Sequence, residues 1–369
     1  MGTDMLSRRG MLSGMIAAGL WPAQGWADVG GPRYLAAAQH TAGGYALHGV
    51  SVDGVSLFSV PLPTRGHAAA AHPTRAEAVA FARRPGTYAI VLDCLSGEVK
   101  AELTAPEGRH FYGHGAFSAD GSLLFTTEND FETARGVVGV WDVAGGYTRL
   151  WEFSSGGVGP HELRLMPDGQ TLAIGNGGIE THPEAGRAKL NIPFMAPNLT
   201  YVSLSGEILE QVAPPDAEHK NSMRHLAVGP DGQVALALQW QGEVTDAPAL
   251  LMLHKRGQAP VWARAPEALH AAMEGYAGSV SFSGDGRQVG ITSPRGGRVQ
   301  VFDAASAVFQ NEVLLRDVCG LAPGTDGFVA STGQGVFHAL NDGQARVLQD
   351  QAVAWDNHIV PIGAATRSA

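Results

Sequence analysis

Residues 111–142 read FYGHGAFSADGSLLFTTENDFETARGVVGVWD, and this stretch decides the fold. A Gly-His pair enters an apolar strand, Asp120-Gly121 turns the chain, and a second strand follows. After a polar loop a third strand ends on Trp141-Asp142. An Asp-Gly pair between apolar runs is a strong hairpin signal. The phrase recurs. Gly159-Pro160-His161 enters ELRLMPDGQTLAIGN, Met223-Arg224-His225 enters LAVGPDGQVALALQW, Gly278-Ser279 enters VSFSGDGRQVGITSP, and Val318-Cys319 enters GLAPGTDGFVASTG. The leading residue precedes its Asp by six or seven positions each time (His114/Asp120, His161/Asp168, His225/Asp231, Ser279/Asp285, Cys319/Asp326). Strand–DG–strand units repeating in this register predict propeller blades.

From Tyr34 onward the chain phases into a ring. YLAAAQ, GYALHGVSV and VSLFSVPL are three strands, followed by units at 67–104, 114–153, 161–212, 225–265, 279–315 and 319–348. Six full units and three leading strands lack one inner strand, and the His-led strand around Trp355–Val360 supplies it. The expectation is an all-β, seven-bladed propeller of four-stranded antiparallel blades over residues 28–369, closed by pairing of its two ends. Closure removes free sheet edges, and about 47 residues per blade is near the norm. The alternatives are an eight-bladed ring or a two-sheet sandwich, and a sandwich leaves the repeated register unexplained.

Composition agrees. Glycine supplies 49 of 369 residues, about twice the usual share. Helical periodicity is confined to a short piece near Ala268–Met273. A formal charge of −10 with 25 Lys+Arg argues against nucleic-acid binding. Cys94 and Cys319 fall in different parts of the blade register, so no bridge is expected between them. The first 27 residues read as a leader: Ser7-Arg8-Arg9-Gly10-Met11-Leu12 matches a twin-arginine export box, and Gly25-Trp26-Ala27 offers small residues at a cleavage site. The apolar run between them is far shorter than the roughly 20 residues that span a bilayer. A periplasmic mature chain beginning near Asp28, without a membrane span and monomeric, is the expectation.

In a propeller the inner strands line the channel. The loops entering them share one face with the loops between second and third strands. His67, His114, His161, His225 and His358 are therefore expected around one mouth, with Ser279 and Cys319 in the remaining places. The longest second-to-third-strand loop, NGGIETHPEAGRAKLNIPFMAPN from Asn176, brings Glu180, His182, Glu184, Arg187, Lys189 and Asn191 to that face. The candidate ligand-binding residues are His67, Arg84, Glu128, Asn129, Asn176, His182, Arg187, Gln239 and Arg295. The candidate metal ligands are His114, His161, His225 and His358, since imidazole suits divalent Fe, Cu and Zn. A seven-blade channel is expected to be too wide for all five histidines to reach one ion. Two neighbours with Glu128 or Glu162 would suffice. The competing reading is structural: WD-type blades tie such a histidine to Asp, Thr and Trp, and blade three holds His114, Thr127, Asp130 and Trp141. That favours a structural His114. Blade four has Tyr201 in place of the Trp and no Asp in its turn, leaving His161 open. No H-E-x-x-H, EF-hand or C-x-x-C-H spacing occurs, so no metal is named by motif and a covalent c-type haem is excluded.

The leader, YGHGAFSADGSLLFTTEND, GPHELRLMPDGQTLAIGNGGIETHP, GRAKLN and MAPNLTYV together resemble a bacterial periplasmic family catalogued as domain of unknown function 1513. The resemblance covers the mature chain and implies a WD40- or YVTN-like propeller. Members tend to be encoded beside imelysin-type and di-haem periplasmic proteins, which implies a link to iron handling and a partner of that kind. It assigns no catalytic residue. The reading that follows is a periplasmic binding or accessory propeller with a histidine-lined site for a metal or a partner. The alternative is an enzyme, a lactonase-like hydrolase or a cofactor-dependent oxidoreductase, using the same mouth.

The leader generates one prediction. Changing Arg8→Lys together with Arg9→Lys should strand the precursor in the cytoplasm. Cell fractionation showing undiminished periplasmic protein would rule out the twin-arginine route.

Overall fold

The computed structural model describes residues 24–83 and 87–363. The leader's Arg8 and Arg9 lie outside them. Seven four-stranded antiparallel sheets form the ring. Six blades are built from consecutive strands over 66–103, 109–154, 160–212, 221–263, 279–314 and 318–350, close to the sequence phasing. Blade one is the composite: Val353–Pro361 is its inner strand and pairs antiparallel with Tyr34–His40, followed outward by Tyr45–Val50 and Ser56–Leu62. The expected closure is thus present. Around the channel the inner strands follow one another from 353–361 to 66–71, 109–117, 160–165, 221–228, 279–282 and 318–323, and the last returns to the first.

Burial explains the sequence pattern. The middle strands are covered on both faces by neighbouring blades, so they read as continuous apolar runs: Glu77–Ala82 and Thr171–Asn176 are buried throughout. Outer strands such as Thr148–Ser154 are mostly exposed. The core is a set of wedges between blades. Ala235, Leu251 and Leu253 of blade five meet Phe282, Val289 and Phe302 of blade six in one of them. A fully buried ring such as Phe302 contributes about 1.5–3 kcal/mol. The single α-helix among the described residues, Glu267–Ala271, lies where the sequence placed a helical piece. Cys94 and Cys319 are both free and buried. No helix among the described residues is long and apolar enough to cross a membrane.

Removing residues 351–369 should abolish cooperative unfolding or leave a chain that is degraded in limited proteolysis, because blade one loses its inner strand and Tyr34–His40 becomes an unpaired edge. An unchanged melting temperature for the truncated protein would refute closure as the source of stability.

Candidate metal centre in the channel

The five inner strands that carry the histidines share a backbone device. Each is bulged where its histidine stands. Tyr112-Gly113-His114 all lie opposite Thr127, between the pairs Phe111–Glu128 and Gly115–Thr126. His161 is the extra residue between Pro160 and Glu162. Arg224 is the extra residue beside His225. His67 with Ala68, and Asp356 to His358, are likewise set opposite single partners. The Ser279 strand keeps a regular register. A bulge breaks the two-residue alternation and re-aims a side chain, and here it turns the imidazoles inward. Gly113 shows the local requirement: its φ of 104° lies in the left-handed region. A Cβ there would stand 2.5 Å from His67 Cδ2.

The result is a packed cluster. Ring centroids lie 5.0 Å apart for His67–His114, 4.7 Å for His67–His358, 4.7 Å for His114–His358, 4.5 Å for His161–His225 and 4.7 Å for His225–His358. The wide mouth with separated histidines is therefore corrected: bulging brings all five rings into contact across the channel. His114 and His67 share a hydrogen bond between their Nε2 atoms at 3.3 Å. His225 Nδ1 meets Glu162 Oε2 at 3.2 Å, and His114 Nδ1 lies 3.9 Å from Glu162 Oε1. Nδ1 of His67, Nδ1 of His161 and Nε2 of His358 are buried without a hydrogen-bond partner.

Charge is arranged around neutral rings. Burial holds His114 down at about 3, against the pull of Glu162, and His67, His161 and His358 sit well below the usual histidine range for the same reason, with their neighbours adding to it. Glu162 is buried, at a cost of several kcal/mol for an unpaired carboxylate. Arg164 at 2.6 Å, His225 and the Leu226 N–H at 3.3 Å offset it. They keep its carboxyl well below the usual range, although burial alone would raise it. On another side of the cluster Asp356, also buried, accepts from Arg65 at 2.5 Å and Arg83 at 2.7 Å.

This donor set fits a metal ion. One donor atom each from His114, Glu162, His225 and His358 lie within 4.8 Å of one another. Atoms bound to one ion at ~2.1 Å stand at most about 4.2 Å apart, so closing on an ion takes shifts of roughly half an ångström. Three imidazoles with a carboxylate suit Zn, Cu or Fe. Cys319 does not join them: its thiol donates to Asp317 O at 3.3 Å, and burial pushes it up to about 12.

The structure redistributes the other candidates. His114 belongs to the cluster and not to a WD-type network. Trp141 donates instead to Thr126 at 2.9 Å, and Glu128 is held by both Arg149 nitrogens at 2.7 and 2.9 Å, away from the channel. Asp130 is engaged by Thr133 and Arg135. Asn176 ties Ser155 to Asn198, Gln239 donates to Ala277 O, and Asn129 donates to Thr181 O. These three amides are framework. His182 accepts from Glu184 N and rests on Phe131, so it does not lie over His161. Arg187 does line a cavity with His161. Arg295 stacks over Tyr276 at 4.4 Å. Arg84 lies outside the described residues. Sequence reasoning offered Glu128 or Glu162 as the carboxylate, and the structure brings Glu162 to the cluster although strict alternation would put it on the face opposite His161. The bulge at His161 breaks that alternation. Arg164 and Asp356 carried no signal beyond their closeness to Glu162 and His358.

The buried rings set a pH dependence. His67, His114, His161 and His358 each have a folded pKa below the unfolded value of about 6.5, so between the two the unfolded chain binds more protons. Stability is complete above about pH 6.5 and declines as pH falls below it, by up to ~1.4 kcal/mol per pH unit for each such ring. Thermal unfolding of metal-free protein from pH 7.5 to 4.5 should show this decline. A His161→Asn/His358→Asn variant should show a flatter profile. A flat profile in the unsubstituted protein would mean that the rings are not held neutral.

The comparisons with known proteins come to the fold and the family. No curated protein matches the sequence. Among solved structures, Kuenenia stuttgartiensis hydrazine synthase is similar, with a TM-score of 0.58 at 14% identity, covering 82% of this chain and 88% of that one. At that identity the likeness shows the propeller fold alone. Residues 60–362 match the family described as protein of unknown function (DUF1513). That match takes in blades two to seven and the C-terminal inner strand of blade one, and the chain belongs to this family.

Proposed function

We propose that the protein is a periplasmic binding or accessory propeller that holds a divalent first-row metal ion, iron foremost, in its channel. The observation that carries this is the convergence of His114, His225, His358 and Glu162 from four different blades, beside imidazole nitrogens left without protein partners. Burying polar atoms unpaired costs about 1–3 kcal/mol each, and a cation repays that cost through the lone pairs of neutral rings. Glu162 supplies the negative charge. Arg164 keeps it ionised, and the His67–His114 contact orients the His114 ring. The export leader supports a periplasmic site of action. The family's genomic neighbourhood supports iron, with an imelysin-type or di-haem protein as the proposed partner.

Elemental analysis of protein recovered by native export should find about one metal ion per chain at these donor counts. His225→Asn and His358→Asn should each weaken binding at least tenfold. His48→Asn should not, because that buried histidine bonds to Ser56 and lies outside the cluster. Chelation should lower the melting temperature of the loaded protein by mass action. Protein that neither carries nor takes up a transition metal would end this reading.

A further inference from the structure

A cavity of about 40 Å³ opens beside the cluster, and His161 forms part of its wall. Tyr112, Thr181, Arg187, Lys189 and Arg224 line it too, and no carboxylate is among its lining residues. Three cationic side chains thus converge in a chain whose formal charge is −10. Like charges held together raise the local free energy unless an anion joins them. Lys189 registers the crowding: its pKa is lowered by burial and by Arg224 and Arg295.

The cradle is built rather than incidental. Asn191 accepts from Glu180 N at 2.8 Å and donates to Gly178 O at 2.9 Å, cross-linking the base of the loop that carries Arg187 and Lys189. Asn129 fixes Thr181 from the neighbouring blade. Lys189 Nζ is steered by Gln241 Oε1 at 2.5 Å. The second pointer is His161 itself, only 8% exposed, with its Nδ1 unpartnered.

We propose that this cavity takes one oxyanion group, a carboxylate or a phosphate, of a small ligand, and seats it against His161 on the flank of the metal centre. The volume bounds the size of the group: a water needs about 10–15 Å³ of such space, so the cavity has room for about three non-hydrogen atoms, one carboxylate or the face of one phosphate. A neutral imidazole has one N–H and one lone pair. An anion at one nitrogen of His161 therefore takes the N–H and leaves the lone pair facing the cluster. Anion and cation then favour each other, and the coupling is reciprocal. The anion site stands by itself, and only this coupling rests on the metal reading.

The test is calorimetric titration of metal-free protein with inorganic phosphate and with citrate, each against a chloride background. One of them should bind saturably, and the tighter one identifies the source of the oxyanion. An Arg187→Gln/Lys189→Gln variant should bind it at least tenfold more weakly with an unchanged melting temperature, since both side chains are exposed. Lys189→Gln alone should give a smaller loss of the same sign. With zinc bound, anion affinity should rise several-fold. His358→Asn should abolish that rise while keeping binding in metal-free protein. If neither anion binds saturably, or the double variant binds as tightly as the parent, the oxyanion site is refuted. If the anion binds and zinc does not, the cavity stands and the metal reading falls.

Discussion

The structure depends on one antiparallel pairing, that of Val353–Pro361 with Tyr34–His40. The other blades are local, each made from strands adjacent in sequence. Only this one joins the two ends of the chain. Without it, blade one would lose its inner strand and the wedges of apolar side chains on either side would lie open. Trp355 shows how the joint is secured: it is buried, packs edge-on to Phe337, and donates to Gly335 O at 3.1 Å. The Trp355 ring therefore packs the seam.

Within the closed ring, the chemistry comes from disobeying strand geometry. Regular alternation on an inner strand would send every second side chain between blades. The bulges interrupt that alternation at His67, His114, His161, His225 and His358, and the rings fill the channel. Burial then does the electrostatic work. It outweighs the nearby carboxylate at His114, and it would neutralise Glu162 too were Arg164 not 2.6 Å away. The centre thus sets the uncharged rings of His114 and His358 beside one charged oxygen donor, Glu162.

The architecture was legible because turn chemistry is local: each Asp-Gly pair announces its own hairpin, and the common offset from the leading residue fixes the blade register. The site was legible in its histidines for the same reason, since all five occupy one place in the phrase. Its shape was not. A bulge has no reliable mark in sequence, so the spacing between rings was overestimated and the choice between Glu128 and Glu162 stayed open. The WD-like parts of blade three misled in a related way. Thr126 and Thr127 are neighbours on opposite faces, and it is Thr126 that meets Trp141, while Thr127 only bonds the backbone oxygen of His114. Asn176 and Gln239 were misjudged because a polar side chain at a loop edge reads alike whether it serves a ligand or the backbone beside it.

His358 sits on the most C-terminal of the described strands, and its companions sit on blades three, four and five. The centre is consequently a certificate of completion. A truncated or nicked chain that has lost its final strand lacks a donor as well as an edge, however well its other blades have formed. Under the proposed export route, which carries folded proteins, the centre would already be assembled on the side of synthesis, and the ions available there would compete for it first.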